Sequence, residues 1–463
     1  MPRQPKNRTV FVCDSCGNDF SKWEGRCPSC GEWNTLAEMK VSTKRPPTGG
    51  WTGATSTAAT LLSEVSIEAT PRMVFSSTEV NRVLGGGIVS GSVVLIAGDP
   101  GIGKSTLLLR LASETGKGKT ALYATGEESA AQIKMRADRM GIQTDDLYVL
   151  TATNVEQVIE QAQSLKPALV IVDSIQTMFH AGVTSEPGSV GQIRECTRRL
   201  LDQAKTSNVP VVLSGHVTKG GDIAGPRIME HMVDVVLYME GDPVSAWRLL
   251  RSVKNRFGST NEVGVFEMTS TGLEEVQDPS AAFIAERDAE SIGSVVIATL
   301  EGTRPLLAEV QALTSASMLQ TPRRVASGMD FNRMLLVCAV LGRRAGVNVG
   351  GQDIVVNVTG GLHVSEPASD LGVALAIASS ARDVALSPGL AAVGEVGLSG
   401  EVRSVAQLDR RIAEADRLGL NRIIVPARQF ENISTTKSIE VVPASTIRQA
   451  LQAALPRAEA RSS

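Results

Sequence analysis

The sequence predicts an α/β protein built on a mainly parallel sheet, with a small metal-stapled module before it and an α+β unit after it. Three observations predict this. Continuous apolar runs alternate with helical patterns from about residue 70 to 275, as expected of strands buried on both faces. One run, Val93-Val94-Leu95-Ile96-Ala97, passes through a glycine-rich loop into the helical stretch Leu107 to Ala112. Four of the six cysteines fall in the first 30 residues as two C-x2-C pairs.

A chain of 463 residues has room for two or three domains. The expected division is a four-cysteine zinc finger over 1–40, a linker over 41–69, the sheet-based core over 70–278 and the second unit over 285–455. Residues 456–463 are expected to form a disordered tail. Net charge is −3, so no global basic signature points to nucleic acid, and any such contact must come from local patches. No apolar run approaches the roughly 20 residues of a membrane span. Met1 to Val12 is polar and lacks a signal-peptide core, so a cytoplasmic location is expected.

Cys13, Cys16, Cys27 and Cys30 have the spacing of two knuckles, and four thiolates make a closed tetrahedral shell suited to structural Zn²⁺. Few apolar residues surround them, so metal binding would supply the folding energy. A closed shell leaves no open position for catalysis. Phe20, Trp23 and Trp33 are expected to pack on the knuckles, with contact to a partner as the alternative. Met1 to Arg45 carries eight Lys or Arg against five Asp or Glu. The Pro, Gly, Ser and Thr content of Ser42 to Thr60 reads as linker. Cys196 and Cys338, each alone in a helical pattern, read as buried thiols.

The loop itself is Gly98-Asp99-Pro100-Gly101-Ile102-Gly103-Lys104-Ser105-Thr106. The spacing G-x4-G-K-S lets backbone N–H groups wrap a polyphosphate, puts a lysine ammonium on its β and γ phosphates and sets a hydroxyl, Ser105, beside Mg²⁺. The helix N-terminus at Lys104 adds its dipole. This chain is therefore expected to bind a nucleoside triphosphate. Asp173 ends the apolar run Leu169-Val170-Ile171-Val172, where a second acid would complete the magnesium shell; its other reading is an N-cap for a following helix. Glu127 and Glu128 follow the short strand Ala121 to Ala124 and could orient and deprotonate an attacking water, or serve as first-turn helix acids. The choice between them stays open.

A glutamate at the end of the strand after the phosphate-loop helix resembles the RecA-like motor core. Gly215-His216-Val217-Thr218-Lys219, Ile223-Ala224-Gly225-Pro226-Arg227 and Lys254-Asn255-Arg256-Phe257-Gly258, together with the four-cysteine module, resemble the bacterial RadA (Sms) recombination and repair family. The likeness covers nearly the whole chain, and the K-N-R-F-G stretch is its most specific part. It implies a hexameric ring in which a neighbour's Lys254 and Arg256 complete each ATP site. It also implies γ-phosphate sensing by Gln176, His216 and Thr218. Two DNA loops are implied at His180 to Val190 and Val217 to Arg227, the second carrying Lys219 and Arg227. Both loops lack stacking aromatics apart from Phe179, so contacts would rest on phosphates and be salt-sensitive.

Beyond the break at Asp278-Pro279-Ser280, strands are expected near Ser291 to Leu300, Glu309 to Leu313, Ile354 to Val358 and Ala391 to Val405. Helices are expected at Phe331 to Leu341, Leu371 to Ser380 and Leu408 to Leu418. Glu366 to Gly372 and Gly394 to Val402 are similar to the proteolytic domain of Lon proteases, which works through a Ser-Lys dyad. Asp370 stands where the serine would be and Asp409 near the lysine, so no peptidase activity is expected. Arg304, Arg323, Arg324, Arg343 and Arg344 are candidates for a duplex-DNA surface, with ring assembly as the other use of this unit.

The resemblance implies an ATP-hydrolysing motor that binds single-stranded and branched DNA, extends heteroduplex by branch migration and works with the RecA recombinase. The alternatives are an ATP-dependent protease and a DNA-independent nucleotide switch whose zinc module binds protein.

Overall fold

The computed structural model describes residues 7–13, 19–28, 31–42, 61, 72–115, 118–216, 225–241, 246–285, 287–288, 291–431, 433 and 438–455. Cys16, Cys30, Thr218, Lys219, nearly all of the 41–69 linker and the 456–463 tail lie outside these residues. The chain forms two compact units, Met1–Glu275 and Val276–Ser463.

At the start of the first unit, Asn7–Cys13 pairs antiparallel with Asp19–Phe20 and with Leu36–Ser42. Cys13, Cys27 and Leu36 are buried together, with Phe11 and Phe20 against them. The indoles do not join that set. Phe20 packs as expected, but Trp23 and Trp33 are 55% and 68% exposed. Trp23 instead donates from Nε1 to the Leu36 carbonyl at 3.1 Å, and the Arg26 guanidinium stands 5.8 Å from the centre of the Trp33 ring.

The rest of the first unit is a nine-stranded sheet. Leu147–Thr151, Ala121–Thr125, Leu169–Asp173, Val211–His216, Val93–Gly98 and Val235–Glu240 lie side by side in that order, all parallel. Trp247–Asn255, Val263–Met268 and Leu273–Glu275 continue it antiparallel. The inner strands are buried along nearly their whole length because both faces are covered, and their polar residues cluster at the carboxyl ends. One core layer contains Val94, Ile96, Leu107, Leu108 and Tyr123, and the opposite layer contains Leu95, Ala97, Val172, Ile193 and Leu200.

The helices over this sheet start where the sequence supplies a capping side chain. Ser77, Ser129, Asn154 and Ser189 each accept a first-turn N–H, the arrangement that satisfies donors a helix leaves unpaired. Asp173 is not followed by the apolar helix considered from the sequence. A short 3₁₀ turn, Ile175–Thr177, comes next, and the following α-helix begins only at Val190. The Ser174 hydroxyl turns toward Glu127 rather than capping.

The second unit contains a seven-stranded mixed sheet, ordered Arg324–Ser327, Gln352–Val358, Arg304–Ala316, Ser294–Glu301, Leu390–Ala392, Arg422–Pro426 and Glu440–Ala444. Helix Asp370–Arg382 is buried over its first ten residues, Asp370 to Ser379. It packs on the two long strands and is a core element of this unit. Between Ala391 and Val405 the expected strand is broken into Leu390–Ala392, Glu395–Val396 and Val402–Arg403. The turn between the last two closes with Gly400 donating to the Gly397 carbonyl. Among the described residues, no helix is long and apolar enough to cross a membrane.

Candidate ATPase site

Strand order decides which residues meet. The strand after the phosphate-loop helix, Ala121–Thr125, is three places away from Val93–Gly98, with Leu169–Asp173 and Val211–His216 inserted between them. Four neighbouring strands therefore end together, bringing Gly98, His216, Asp173 and Thr125 to the carboxyl edge. Ligands bind at that edge of a parallel sheet.

The helix Lys104–Ser113 departs from this edge, and its N-cap differs from those elsewhere on the sheet. The cap is Gly103, in the left-handed region at φ +116°, and no side chain accepts from the first turn. Those N–H groups remain available to an anion. The positive φ favours glycine here, and a Cβ would also sit 2.6 Å from the flexible Met268 Cε, which would have to move aside. Lys104 is 4% exposed and its Nζ donates to the carbonyls of Gly98 (2.8 Å) and Asp99 (2.9 Å). Burial pushes its pKa down, while the charges of Asp173, Glu127 and Asp99 pull the other way. A buried ammonium held only by carbonyls and facing three carboxylates is a ready partner for phosphate oxygens.

Asp173 is 6% exposed. Tyr123, on the neighbouring strand, donates its hydroxyl to Asp173 Oδ2 at 2.6 Å, fixing the carboxylate's rotamer. Burial and the Asp173 charge drive the Tyr123 pKa well up, so the phenol keeps its proton. A buried carboxylate oriented by Tyr123, with the Ser105 hydroxyl on the first turn of the phosphate-loop helix, offers hard oxygen donors of the kind that fit Mg²⁺.

The structure distinguishes Glu127 from Glu128. Both backbone N–H groups point to the Thr125 hydroxyl at 3.3 Å, and the side chains diverge. Glu128 Oε1 is paired with Arg136 on the next helix. Glu127 is exposed at the mouth of the site, where Oε1 accepts from the Ser174 hydroxyl at 2.5 Å and faces His216 Nε2 at 3.4 Å. The hydrogen bond from His216, opposed by burial and assisted by Ser174, brings its pKa down to about 2. Glu127 is thus ionised throughout the neutral range. The preceding Gly126 passes so close to Thr177 that a Cβ would lie 2.4 Å from its hydroxyl, which fixes how the turn carries Glu127.

Gln176 donates from Nε2 to the His216 carbonyl at 3.4 Å. Its Oε1 and the Nδ1 of His216 are buried polar atoms without a partner among the described residues. Such atoms are costly to leave unpaired and are a mark of a site that closes around a ligand. Beside the same helix, a cleft of about 550 Å³ opens between Met140 to Gln143 and Thr271 to Glu275. Gly272 brings it close to Thr106, since a Cβ there would be 3.5 Å from the Thr106 Cγ2.

The remaining expected residues are dispersed. Lys254 Nζ donates to the carbonyls of Glu230 (2.7 Å) and Val233 (2.8 Å), capping the helix Gly225–Met232. Arg256 Nη1 pairs with buried Asp234 at 3.3 Å, and that carboxylate also takes Lys205 at 2.9 Å. Arg227 belongs to the capped helix, but its side chain is outside the described residues. The His180 to Val190 loop is cinched by buried Gln192, which donates to the Val183 and Ser185 carbonyls. In the second unit Arg323 is exposed, whereas Arg324 spends its guanidinium on the carbonyls of Val349 and Gln352. Arg304 is half-buried and partnered.

Cys13 and Cys27, two of the four expected zinc ligands, are buried side by side in one cluster. The Cys27 turn closes by Gly31 donating to the Cys27 carbonyl (2.9 Å) and Cys27 donating to the Glu32 carbonyl (2.8 Å). Two buried cysteines of one cluster, one at a strand end and one in a tight turn, fit the closed structural Zn²⁺ shell. Cys196 and Cys338 are buried, and burial pushes the Cys196 thiol up to about 12.

Sequence reasoning missed Tyr123, Ser174 and Arg136. Tyr123 and Asp173 are 50 residues apart and meet only through strand pairing, and nothing local to Tyr123 signals the partner. Arg136 lies eight residues after Glu128, on the helix Ala130–Arg139 that the turn leads into, and so was within local reach.

A glycine-cradled helix start with a buried lysine, a magnesium-type aspartate and an ionised glutamate defines a P-loop ATPase. Comparison with known proteins agrees and goes further. A family model described as AAA domain matches residues 65–222. Two others, described as Rubredoxin metal binding domain and Subunit ChlI of Mg-chelatase, match 11–38 and 336–429. The chain is similar to the DNA repair protein RadA of Bacillus subtilis, 47% identical over 97% of this chain and 99% of that protein. It is similar to those of Halalkalibacterium halodurans (48%, 98% of this chain and 100% of that protein) and Pseudomonas aeruginosa (48%, 97% and 99%). The chain belongs to the RadA family of DNA repair proteins. Its ligands are accordingly ATP with Mg²⁺ and a structural Zn²⁺.

Proposed function

We propose that this protein is an ATP-driven DNA motor of recombination and repair, hydrolysing ATP at the carboxyl edge of the first unit's sheet. The observation that carries the reading is the meeting of Lys104, Asp173 and the Glu127–His216 pair beside an uncapped helix start. The first-turn N–H groups and Lys104 bind and orient the triphosphate. Asp173, held by Tyr123, and Ser105 would hold Mg²⁺, which supplies charge neutralisation on the β and γ phosphate oxygens. Glu127 orients the attacking water and accepts its proton. The cleft beside Met140 and Gly272 receives the nucleoside.

His216 faces Glu127 from the end of the strand that leads directly into residues 217–224. Gln176 donates to the carbonyl at that strand end, which supports a role for Gln176 and His216, with Thr218, in sensing the γ-phosphate and passing its loss to residues 217–227. Single-stranded and branched DNA would bind there and at His180 to Val190. In a hexameric ring, Lys254 and Arg256 of each subunit reach the neighbour's ATP. The RecA recombinase is the expected partner and branch migration the expected output. The second unit serves assembly or duplex DNA, without peptidase chemistry: Asp370, in the place of a nucleophile, is bonded to Arg333.

The test is ATP turnover with and without single-stranded DNA at low and moderate salt, with Lys104→Ala as the blank. Stimulation that fades with salt supports a DNA motor. Turnover indifferent to DNA at both salts would favour a nucleotide switch.

A further inference from the structure

The wall behind the phosphate loop holds a buried charged side chain that grips the loop's backbone. Strand Trp247–Asn255 lies between Val235–Glu240 and Val263–Met268, with Arg248 opposite Phe266. Arg248 is 6% exposed. Its Nε donates to the carbonyl of Ile102, in the loop, at 3.0 Å, and its Nη1 donates to the Trp247 carbonyl at 2.8 Å. The side chains of Met239 and Met268, on the flanking strands, close on Gly103 from the same wall.

A trans peptide unit points its C=O and N–H in opposite directions. A donor that grips the Ile102 carbonyl from the protein interior therefore turns the Gly103 N–H outward, toward the polyphosphate. Gly103 has no side chain and lies in the left-handed region, so its own torsional preferences leave this peptide plane loosely determined. The guanidinium is planar and carries donors in a fixed fork, which allows it to hold Trp247 and Ile102 at once.

We propose that Arg248 is a positioning residue of the ATP site: by holding the Ile102 carbonyl it aims the Gly103 N–H at the bound polyphosphate. The inference rests on the ATPase reading, and it concerns binding that is equal in substrate and transition state. Loss of such binding raises KM and spares kcat. Damage to the fold alone does the reverse, lowering the active fraction and hence apparent kcat at unchanged KM.

The experiment compares steady-state ATP hydrolysis by full-length wild type, Arg248→Met and Arg248→Lys, with thermal unfolding recorded for each. Arg248→Met should raise the KM for ATP roughly 10- to 100-fold, the range for losing a hydrogen bond from a charged group, with kcat within about threefold. Arg248→Lys should give an intermediate KM, because the shorter, non-planar ammonium keeps the charge and a donor but not the rigid fork that fits both carbonyls together. KM within twofold of wild type in a folded Arg248→Met protein overturns the proposal, as does a fall in kcat at constant KM. If Arg248→Met does not fold, Arg248→Lys decides alone: a raised KM supports the assignment and an unchanged one overturns it. Wild-type protein without any ATP turnover would instead defeat the underlying ATPase reading.

Discussion

The carboxyl edge of the first unit and the Glu366–Asp370 turn of the second each gather carboxylates and cations at element ends, yet they are finished in opposite ways. At the first, Glu127 is exposed, Lys104 is held by carbonyls alone, and Gln176 Oε1 and His216 Nδ1 have no partner among the described residues. At the second, the fully buried Asp370 accepts from Arg333 Nε at 2.8 Å and from the Val396 N–H at 3.1 Å. Arg411, fully buried, donates to Glu366 and to the carbonyls of Ala298 and Ala406, while Leu300 N–H and the Thr299 hydroxyl complete Glu366. An unsatisfied edge awaits a ligand; a saturated one holds the fold together. Burial raises the pKa of Asp370 while Arg333 and the Val396 amide oppose it, the signature of a charge kept inside by its partners.

The comparison is broken most easily at Glu127. Glu127→Gln should cut kcat roughly 10²- to 10⁴-fold, the usual worth of a general base. Glu128→Gln, whose native partner is Arg136, should cost less than about tenfold. Steady-state turnover of the two variants measures the difference, and equal losses would remove the distinction drawn between them. On the saturated side, Arg411→Met strips a fully buried cation from Glu366 and should destabilise the second unit by about 3 kcal/mol, as removal of one member of a buried pair does. Denaturant or thermal unfolding reads this, and ATP turnover at low temperature should stay near wild type.

A smaller effect concerns pH. His216 is the largest cause of the low Glu127 pKa of about 2. A depressed carboxylate is ionised above its pKa and is lost as base when pH falls through it. In His216→Ala that pKa rises toward the ordinary value, so the acid limb of the kcat profile should move to higher pH. An acid limb unmoved by the substitution would show that the 3.4 Å contact does not tune Glu127.

Much of the open edge was legible in the sequence because its motifs are local. Gly98 to Thr106 declares a phosphate cradle by spacing, and Asp173 ends an unbroken apolar strand. Glu127 and Glu128 could not be separated, because neighbours in a turn diverge according to partners elsewhere, here Ser174 and His216 for one and Arg136 for the other. The saturated turn was only half legible. Asp370 was noted as a replacement for a nucleophile, but Arg333 lies 37 residues before it and Arg411 lies 45 after Glu366. Asp409, the residue singled out from the sequence, is exposed on the first turn of its helix, while Arg411, two positions on, is the one that turns inward. Arg248 was hidden for a related reason: within Trp247-Arg248-Leu249-Leu250-Arg251 nothing tells an inward arginine from a solvated one.

The central claim is that chemistry belongs to the unsatisfied edge and folding to the saturated one, and a single side-by-side measurement of ATP turnover in Asp173→Asn and Asp370→Asn tests it. Asp173→Asn keeps an acceptor for Tyr123 and should be folded but nearly inactive; Asp370→Asn should hydrolyse ATP near the wild-type rate below its lowered melting temperature. Full turnover in Asp173→Asn, or loss of turnover in folded Asp370→Asn, would contradict the account.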